Sequence, residues 1–277
     1  MNKKIVFILT VVLAVSLTMA CVSAEGIFDF FSSADANTVN NETNLIVGFN
    51  SKFPPFGYQD DDGNYVGFDL ALAKEVCDRN NWTFVPQPII DWNTKQLELD
   101  GGEIDCIWSE FTINGRENDY TWTEPYFNNT KIIIVKSDSS ISSLSDLEGK
   151  TIEIQQGSSF LNTIKNNQTL KDLLGKVNEV DGYDTALMDL ESGVCDAVIC
   201  DSGLGYYKIT ERFNNENFKV LDDTISHEEY GVAFKKGNTD LRDQVQKTLD
   251  EMFEDGTVDE IAQNYSQYKI PEGLIHP

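Results

Sequence analysis

The sequence predicts an α/β protein of strand–helix units with mainly parallel sheets, and three observations predict it. Short apolar runs alternate with segments whose apolar residues recur at helical spacing. After residues 139–145 the same alternation starts again as a second unit. The 277 residues, 40% hydrophobic and 11% aromatic, supply a sizeable core and exclude intrinsic disorder.

The chain opens on Asn2-Lys3-Lys4 and an apolar run from Ile5 to Leu17, a charged n-region and h-region of secretory type. Leu17-Thr18-Met19-Ala20-Cys21 resembles a lipoprotein processing site, and Val22-Ser23-Ala24 an ordinary cleavage site. An uncleaved anchor is the third reading. Residues 1–24 are therefore an export signal that places the rest outside the cytoplasm. Residues 25–43, rich in Ser, Asn, Asp and Thr, are a flexible tether.

Leu45 to Phe49 is the first strand, and Tyr58 and Tyr65 flank a hairpin turn around Asp60-Asp61-Asp62-Gly63. That turn fails as a calcium loop, because the frame set by Gly63 puts Tyr58 at position one and Asp69 at position twelve. Asp69 is expected to cap a helix bearing Leu70, Ala73, Val76 and Cys77 on one face. A short helix over 94–99 stops at Gly101-Gly102, and strands follow at 104–108 and 131–135. In the second unit, 151–155 is a strand, Gly157-Ser158-Ser159 opens a helix, and 177–180 is a strand. A helix over 184–190 and an apolar strand over 195–200 come next, the latter ending at Asp201. Residues 230–234 start a last segment with a helix over 238–253.

With 21 basic and 46 acidic residues the chain carries −25, or −27 once Lys3 and Lys4 are removed. Such a surface repels phosphates, which excludes nucleic acid and disfavours an anionic membrane face. Beyond Cys21, the cysteines Cys77, Cys106, Cys195 and Cys200 form no C-x-x-C pair, so no metal or cofactor is expected. Cys106 and Cys200 fall in buried runs; a disulfide is permitted, its connectivity open. Sequons stand at Asn41, Asn81, Asn128, Asn167 and Asn264.

In α/β sheets, binding residues belong at the carboxyl ends of strands. Four places qualify. Asn50 to Phe56 contains Phe53-Pro54-Pro55-Phe56, a loop stiffened by paired prolines and expected to expose its aromatics. Trp108 to Arg116 offers Ser109, Glu110, Thr112 and Arg116, hydroxyls and a guanidinium suited to a carboxylate. Gly157-Ser158-Ser159 supplies free N–H groups at a helix start, or an ordinary N-cap. Asp201 could hold an ammonium, or cap the helix starting near Ser202. Together they are complementary to a free α-amino acid.

Phe53-Pro54-Pro55-Phe56, Gly63-x-x-x-Gly67-Phe68-Asp69, Gly102-Glu103-Ile104-Asp105, Thr112…Arg116, Glu124-Pro125-Tyr126, Leu144-x-Asp146-Leu147-x-Gly149-Lys150 and Gly193-x-x-Asp196 occur in one order. From about Leu45 to Tyr265 the chain thus resembles the polar amino-acid-binding proteins of ABC importers, extracellular solute-binding family 3. The resemblance implies a type II periplasmic-binding-protein fold, two α/β lobes joined by crossing strands and closing on the ligand. Residues 44–130 and 229–277 would form lobe one and residues 131–228 lobe two. Arg116 and Thr112, with Ser159 and the N–H groups near Gly157, would hold the ligand carboxylate. Asp201 would hold the ammonium, and Asn50, Phe53 and Trp92 would read the side chain. A membrane permease is the implied partner of a monomer tethered through Cys21 or an uncleaved anchor.

Three departures bear on this. The segment from Thr112 to Arg116 is one residue shorter than the commonest pattern. Asn50 stands where readers of cationic ligands often carry Asp. Glu110 replaces a Gly or Ser; if it faces the cleft, it restores a cationic preference, and otherwise it is a rim residue. Two rival classes share the residues. A dehydratase of the same fold, acting on a cyclic amino or keto acid, would use Glu110 as general acid, but no paired acid and base stand at fixed spacing. A ligand-sensing surface domain would keep the fold with a degenerate cleft. The sequence favours binding without catalysis.

Overall fold

The computed structural model describes residues 43–213 and 215–277. The signal, the processing sites and nearly all of the tether lie outside the described residues. No helix among the described residues is long and apolar enough to cross a membrane.

The first lobe is built on a five-stranded sheet. Its strands are β1 (Asn44–Phe49), β5 (Thr83–Pro88), β6 (Cys106–Ile107), β7 (Thr121–Trp122) and β14 (Ala233–Phe234), in the order β5-β1-β6-β14-β7. β1 runs parallel to β5 and β6, whereas β14 runs antiparallel to β6 and β7. Helices α1 (Phe68–Asn80), α2 (Lys95–Gly101), α7 (Thr239–Glu254) and α8 (Thr257–Gln263) belong to this lobe. A small antiparallel sheet, β2 (Lys52–Phe53), β3 (Gly57–Gln59) and β4 (Tyr65–Val66), folds over the end of β1.

The second lobe contains β8 (Phe127–Lys136), β9 (Thr151–Gln155), β10 (Lys176–Val180), β11 (Ala197–Asp201) and β12 (Phe218–Val220), in the order β10-β9-β11-β8-β12. Its helices are α3 (Ser159–Asn166), α4 (Gln168–Leu173), α5 (Tyr183–Ser192) and α6 (Ser202–Tyr207). Both sheets are mixed rather than mainly parallel. The βαβ units are parallel as expected, but β14 and β8, the strands on which the chain enters a lobe from the other, run against their neighbours. β8 is the connector: residues 127–130 pair with β13 (His227–Tyr230), and from Lys131 onward it pairs with β11. That exchange puts Lys131 directly opposite Asp201 in the ladder.

β8 and β11 read as continuous apolar runs because both faces are covered. Ile133, Val135, Ala197 and Ile199 join one core with Ile152, Ile154 and Phe160. Ile132, Ile134, Val198 and Cys200 face the other way, into a cluster that continues through Phe127 and Tyr230 to Phe56 and Phe68 of the first lobe. All four described cysteines are buried free thiols.

Two local expectations are corrected. The Pro54–Pro55 peptide is cis, and the loop turns its aromatics inward: Phe53 and Phe56 are buried, with Phe56 against Phe68, Phe127 and Tyr230. An apolar interior was within reach of the loop, and burial of two Phe side chains outweighs exposure. Asp69, expected as a helix cap, is instead the second residue of α1, whose N-cap is Gly67. The first amides of α1 go to the loop backbone, Phe68 N–H to the Pro55 carbonyl at 2.8 Å and Asp69 N–H to that of Phe56 at 3.0 Å. Only glycine fits at 67: its φ is +137°, and a Cβ there would lie 2.1 Å from the Phe56 carbonyl oxygen. The Asp69 carboxylate is thereby free for the site.

Candidate functional site

Between the lobes, at the carboxyl ends of β1, β6, β9 and β11, lies a cleft with ≈ 370 Å³ of space between atoms, part of it open to solvent. Nine sequence-predicted residues line it: Phe53, Trp92, Glu110, Thr112, Arg116, Gly157, Ser158, Ser159 and Asp201. Phe111, Lys131, Gln155 and Tyr183 line it too, unforeseen. The cleft is shut: Phe53 of the first lobe meets Tyr183 of the second edge to face, with ring centroids 6.0 Å apart.

Arg116 is placed by the turn after β6. The strip 111–113 pairs with 229–231, Ile113 N–H donating to Glu229 and Gly231 N–H to Phe111. The guanidinium donates to the Thr112 carbonyl at 3.2 Å and, across the cleft, to that of Gly157 at 3.5 Å. It lies over the Phe111 ring at 4.9 Å, a cation–π contact. Burial pulls its pKa below the usual value. Among the described residues no carboxylate lies within 4.0 Å of it. Lys95 adds positive potential; burial, with Arg116 nearby, lowers its pKa to about 8. Ser158 is the N-cap of α3, accepting from Phe160 N–H, so its hydroxyl has the ordinary capping role.

At the crossing strands the cleft holds a buried ionic cluster that the sequence reading missed. Lys131 Nζ donates to Asp201 Oδ1 at 2.7 Å and stands 3.2 Å from Glu228 Oε2. Asp201 Oδ1 also accepts the Tyr230 hydroxyl at 2.6 Å and the Asn129 side-chain amide. All three donors use Oδ1, leaving Oδ2 without a hydrogen bond among the described residues. Asp201 is also the N-cap of α6 by position, but its side chain makes no capping bond. Glu228 accepts from Thr112 Oγ1 at 2.9 Å and Ser159 Oγ at 2.8 Å. Those two hydroxyls, expected to hold a ligand carboxylate, are turned to Glu228 here, because a buried carboxylate needs donors. Burial opposes ionisation of Glu228, but Lys131 and the hydroxyls outweigh it and hold its pKa below the ordinary range. Lys131 balances likewise: burial pulls it down, and Asp201 and Glu228 carry it above its usual value.

Glu110 faces the cleft rather than the rim. It adopts φ +40°, a conformation costly for a side-chain-bearing residue, fixed by its N–H donating to Asp69 Oδ2 at 2.6 Å. Ser109 Oγ donates to Glu110 Oε2 at 2.6 Å and accepts the Asn50 N–H at 2.9 Å. Burial, reinforced by Asp69, pushes the Glu110 carboxyl well above its usual pKa. Ser109 is thus a fully buried brace and not part of the wall, contrary to expectation. Asn50 also lies outside this cavity: its Oδ1 accepts the Lys52 N–H, and it lines an adjoining groove with Ile89, Trp92 and Gln155. The tight β1–β2 corner turns its short amide back on the chain.

The signal for Glu228 was the alternation His227-Glu228-Glu229-Tyr230, which buries every second residue. That for Lys131 was a lone cation heading an apolar run.

Residues 45–268 match the family "bacterial extracellular solute-binding proteins, family 3". The L-cystine-binding protein TcyJ of Escherichia coli is 28% identical over 254 residues, 90% of this chain and 92% of TcyJ. Among solved structures, an ancestral arginine-binding protein bound to arginine is 35% identical, with TM-score 0.73, over 80% of this chain and 97% of that one. An ABC uptake transporter substrate-binding protein from Streptococcus pneumoniae with bound histidine is 30% identical, with TM-score 0.75, over 80% and 92%.

Proposed function

We propose that this chain, which belongs to family 3 of the bacterial extracellular solute-binding proteins, captures a free polar amino acid between its lobes and delivers it to the membrane permease of an ABC importer. The observation that carries the reading is Arg116: a cleft guanidinium with carbonyl and aromatic contacts but, among the described residues, no carboxylate within 4.0 Å. A ligand carboxylate supplies the missing charge, aided by the amides at the start of α3. Asp201 Oδ2 takes the α-ammonium, and Phe53, Trp92 and Tyr183 enclose the side chain. Residues 44–130 with 229–277 act as one lobe and 131–228 as the other, hinging on β8 and β13. Closure is coupled to occupancy because Arg116 and Asp201 belong to different lobes.

On this reading the ligand leaves unchanged and the chain is no enzyme. The protein works as a monomer, held at the outer face of the membrane through Cys21 or an uncleaved signal. Relatives that bind cystine, arginine and histidine support the substrate class. A thermal-shift screen over the twenty amino acids and cystine, followed by recovery of the bound compound, tests it. A raised Tm with intact ligand is expected. No shift with any of them, or recovery of a converted product, contradicts it.

A further inference from the structure

The charges of the cleft pair off, with one carboxyl left over. Arg116 serves the ligand carboxylate and Asp201 Oδ2 its α-ammonium, while Glu228 is paired with Lys131. Glu110 remains. It is 8% exposed, lines the cavity, and has a single hydrogen bond on its carboxyl group, from Ser109 to Oε2, so Oε1 is unpartnered among the described residues. Its backbone stands at φ +40°, with the N–H donated to Asp69. The groups that act on it are Asp69 on α1, Asp201 at the end of β11, and Lys131 on β8. The phenols of Tyr126 and Tyr230 complete the set. Lys131 is the one cation among them, and it is already bonded to Asp201 and Glu228. Through Ser109 the carboxyl is also tied to the Asn50 backbone, one residue past β1, at the mouth of the adjoining groove.

We infer that Glu110 reads a second positive charge on the ligand, so that the cleft is built for an amino acid with a cationic side chain, whose entry expels the carboxyl proton of Glu110 to solvent. The proposal rests on the amino-acid-binding reading and narrows it. The balance is simple: the neutral carboxyl loses H⁺ to the buffer, the carboxylate that remains pairs with the ligand cation, and no covalent bond to the ligand changes. In the empty cleft burial above all disfavours the ionised form of Glu110, and the Ser109 bond only partly offsets it. A cation favours the ionised form, so affinity for a cationic ligand rises with pH, by up to about tenfold per pH unit while the proton is displaced.

L-Arginine and its neutral near-isostere L-citrulline isolate the charge. Titration calorimetry near pH 6, in two buffers of different ionisation enthalpy, gives both affinity and protons exchanged. The wild type is expected to bind arginine at least about tenfold tighter than citrulline, releasing a proton only with arginine. In Glu110→Gln the arginine-to-citrulline preference should fall at least about tenfold and the proton release vanish. Should the variant not fold, the wild-type comparison decides alone. Equal affinities in the wild type, or arginine bound without proton release, overturn the proposal while another bound amino acid leaves the broader reading intact. A variant that weakens both ligands equally also overturns it, since Glu110 would then hold a feature they share. If no amino acid binds at all, both fall.

Discussion

Lys131→Met removes the ammonium that bridges Asp201 at 2.7 Å and Glu228 at 3.2 Å, in a cluster where all three side chains are at most 6% exposed. Two carboxylates then face each other in the interior with Tyr230, Asn129, Thr112 and Ser159 as neutral donors. Breaking a buried ion pair by deleting one partner typically costs about 3–5 kcal/mol. The cost of neutralising the surplus charge is similar. The variant escapes by protonating one carboxyl, which at pH 7 costs about 1.4 kcal/mol for each of the roughly three pH units above an ordinary carboxylate pKa, or about 4 kcal/mol. The same route makes the deficit pH-dependent: it should shrink to about 1–2 kcal/mol near pH 5. Urea unfolding of wild type and variant at the two pH values measures it. Adding Glu228→Gln to Lys131→Met should recover much of the loss, because the surplus charge goes with it. A Lys131→Met protein within about 1 kcal/mol of wild type at pH 7, or a deficit that does not move with pH, would mean that Lys131 does not neutralise the two carboxylates.

Asp201→Ala should weaken amino-acid binding by at least about 2 kcal/mol, roughly 30-fold, by calorimetry; unchanged affinity would remove the ammonium assignment. Asp69, fully buried and raised to about 7 by desolvation, binds a proton in the folded state that it lacks when unfolded. A raised carboxyl pKa favours the folded state at low pH, so stability should fall as pH rises from about 4 to about 7, by on the order of 4 kcal/mol. Asp69→Asn should flatten that window in urea titrations at successive pH values; an unchanged slope would mean that Asp69 is not the group responsible.

What was legible in the sequence was what periodicity and turn chemistry encode. Apolar runs marked the central strands, and Gly157-Ser158-Ser159 marked a helix start that the structure shows capped by Ser158. Nine cavity residues were found because the ends of strands are where α/β folds place their sites. Two of the misses share a cause: they depend on which strand lies beside which. Lys131 and Asp201 are 70 positions apart and meet because β8 and β11 are antiparallel neighbours. Glu228 reaches Thr112 across 116 positions because β13 returns alongside the turn that carries Arg116. Asp69 sat at a helix start, where an N-cap is the local reading; only the packed loop around Gly67 freed it to hold Glu110. The Thr112 and Ser159 hydroxyls were placed correctly in the cleft, but their partner was a carboxylate of the chain itself.

Amino-acid capture depends most directly on Arg116 as the holder of a ligand carboxylate. Calorimetry of the wild type and Arg116→Ala, each with the best-binding amino acid and with its carboxamide, tests that contact alone. The wild type should lose at least about 2 kcal/mol on going from acid to amide, and Arg116→Ala should bind the acid weaker by a similar amount while no longer distinguishing the two. An Arg116→Ala protein that binds the acid as tightly as the wild type, or that still discriminates acid from amide, would contradict it.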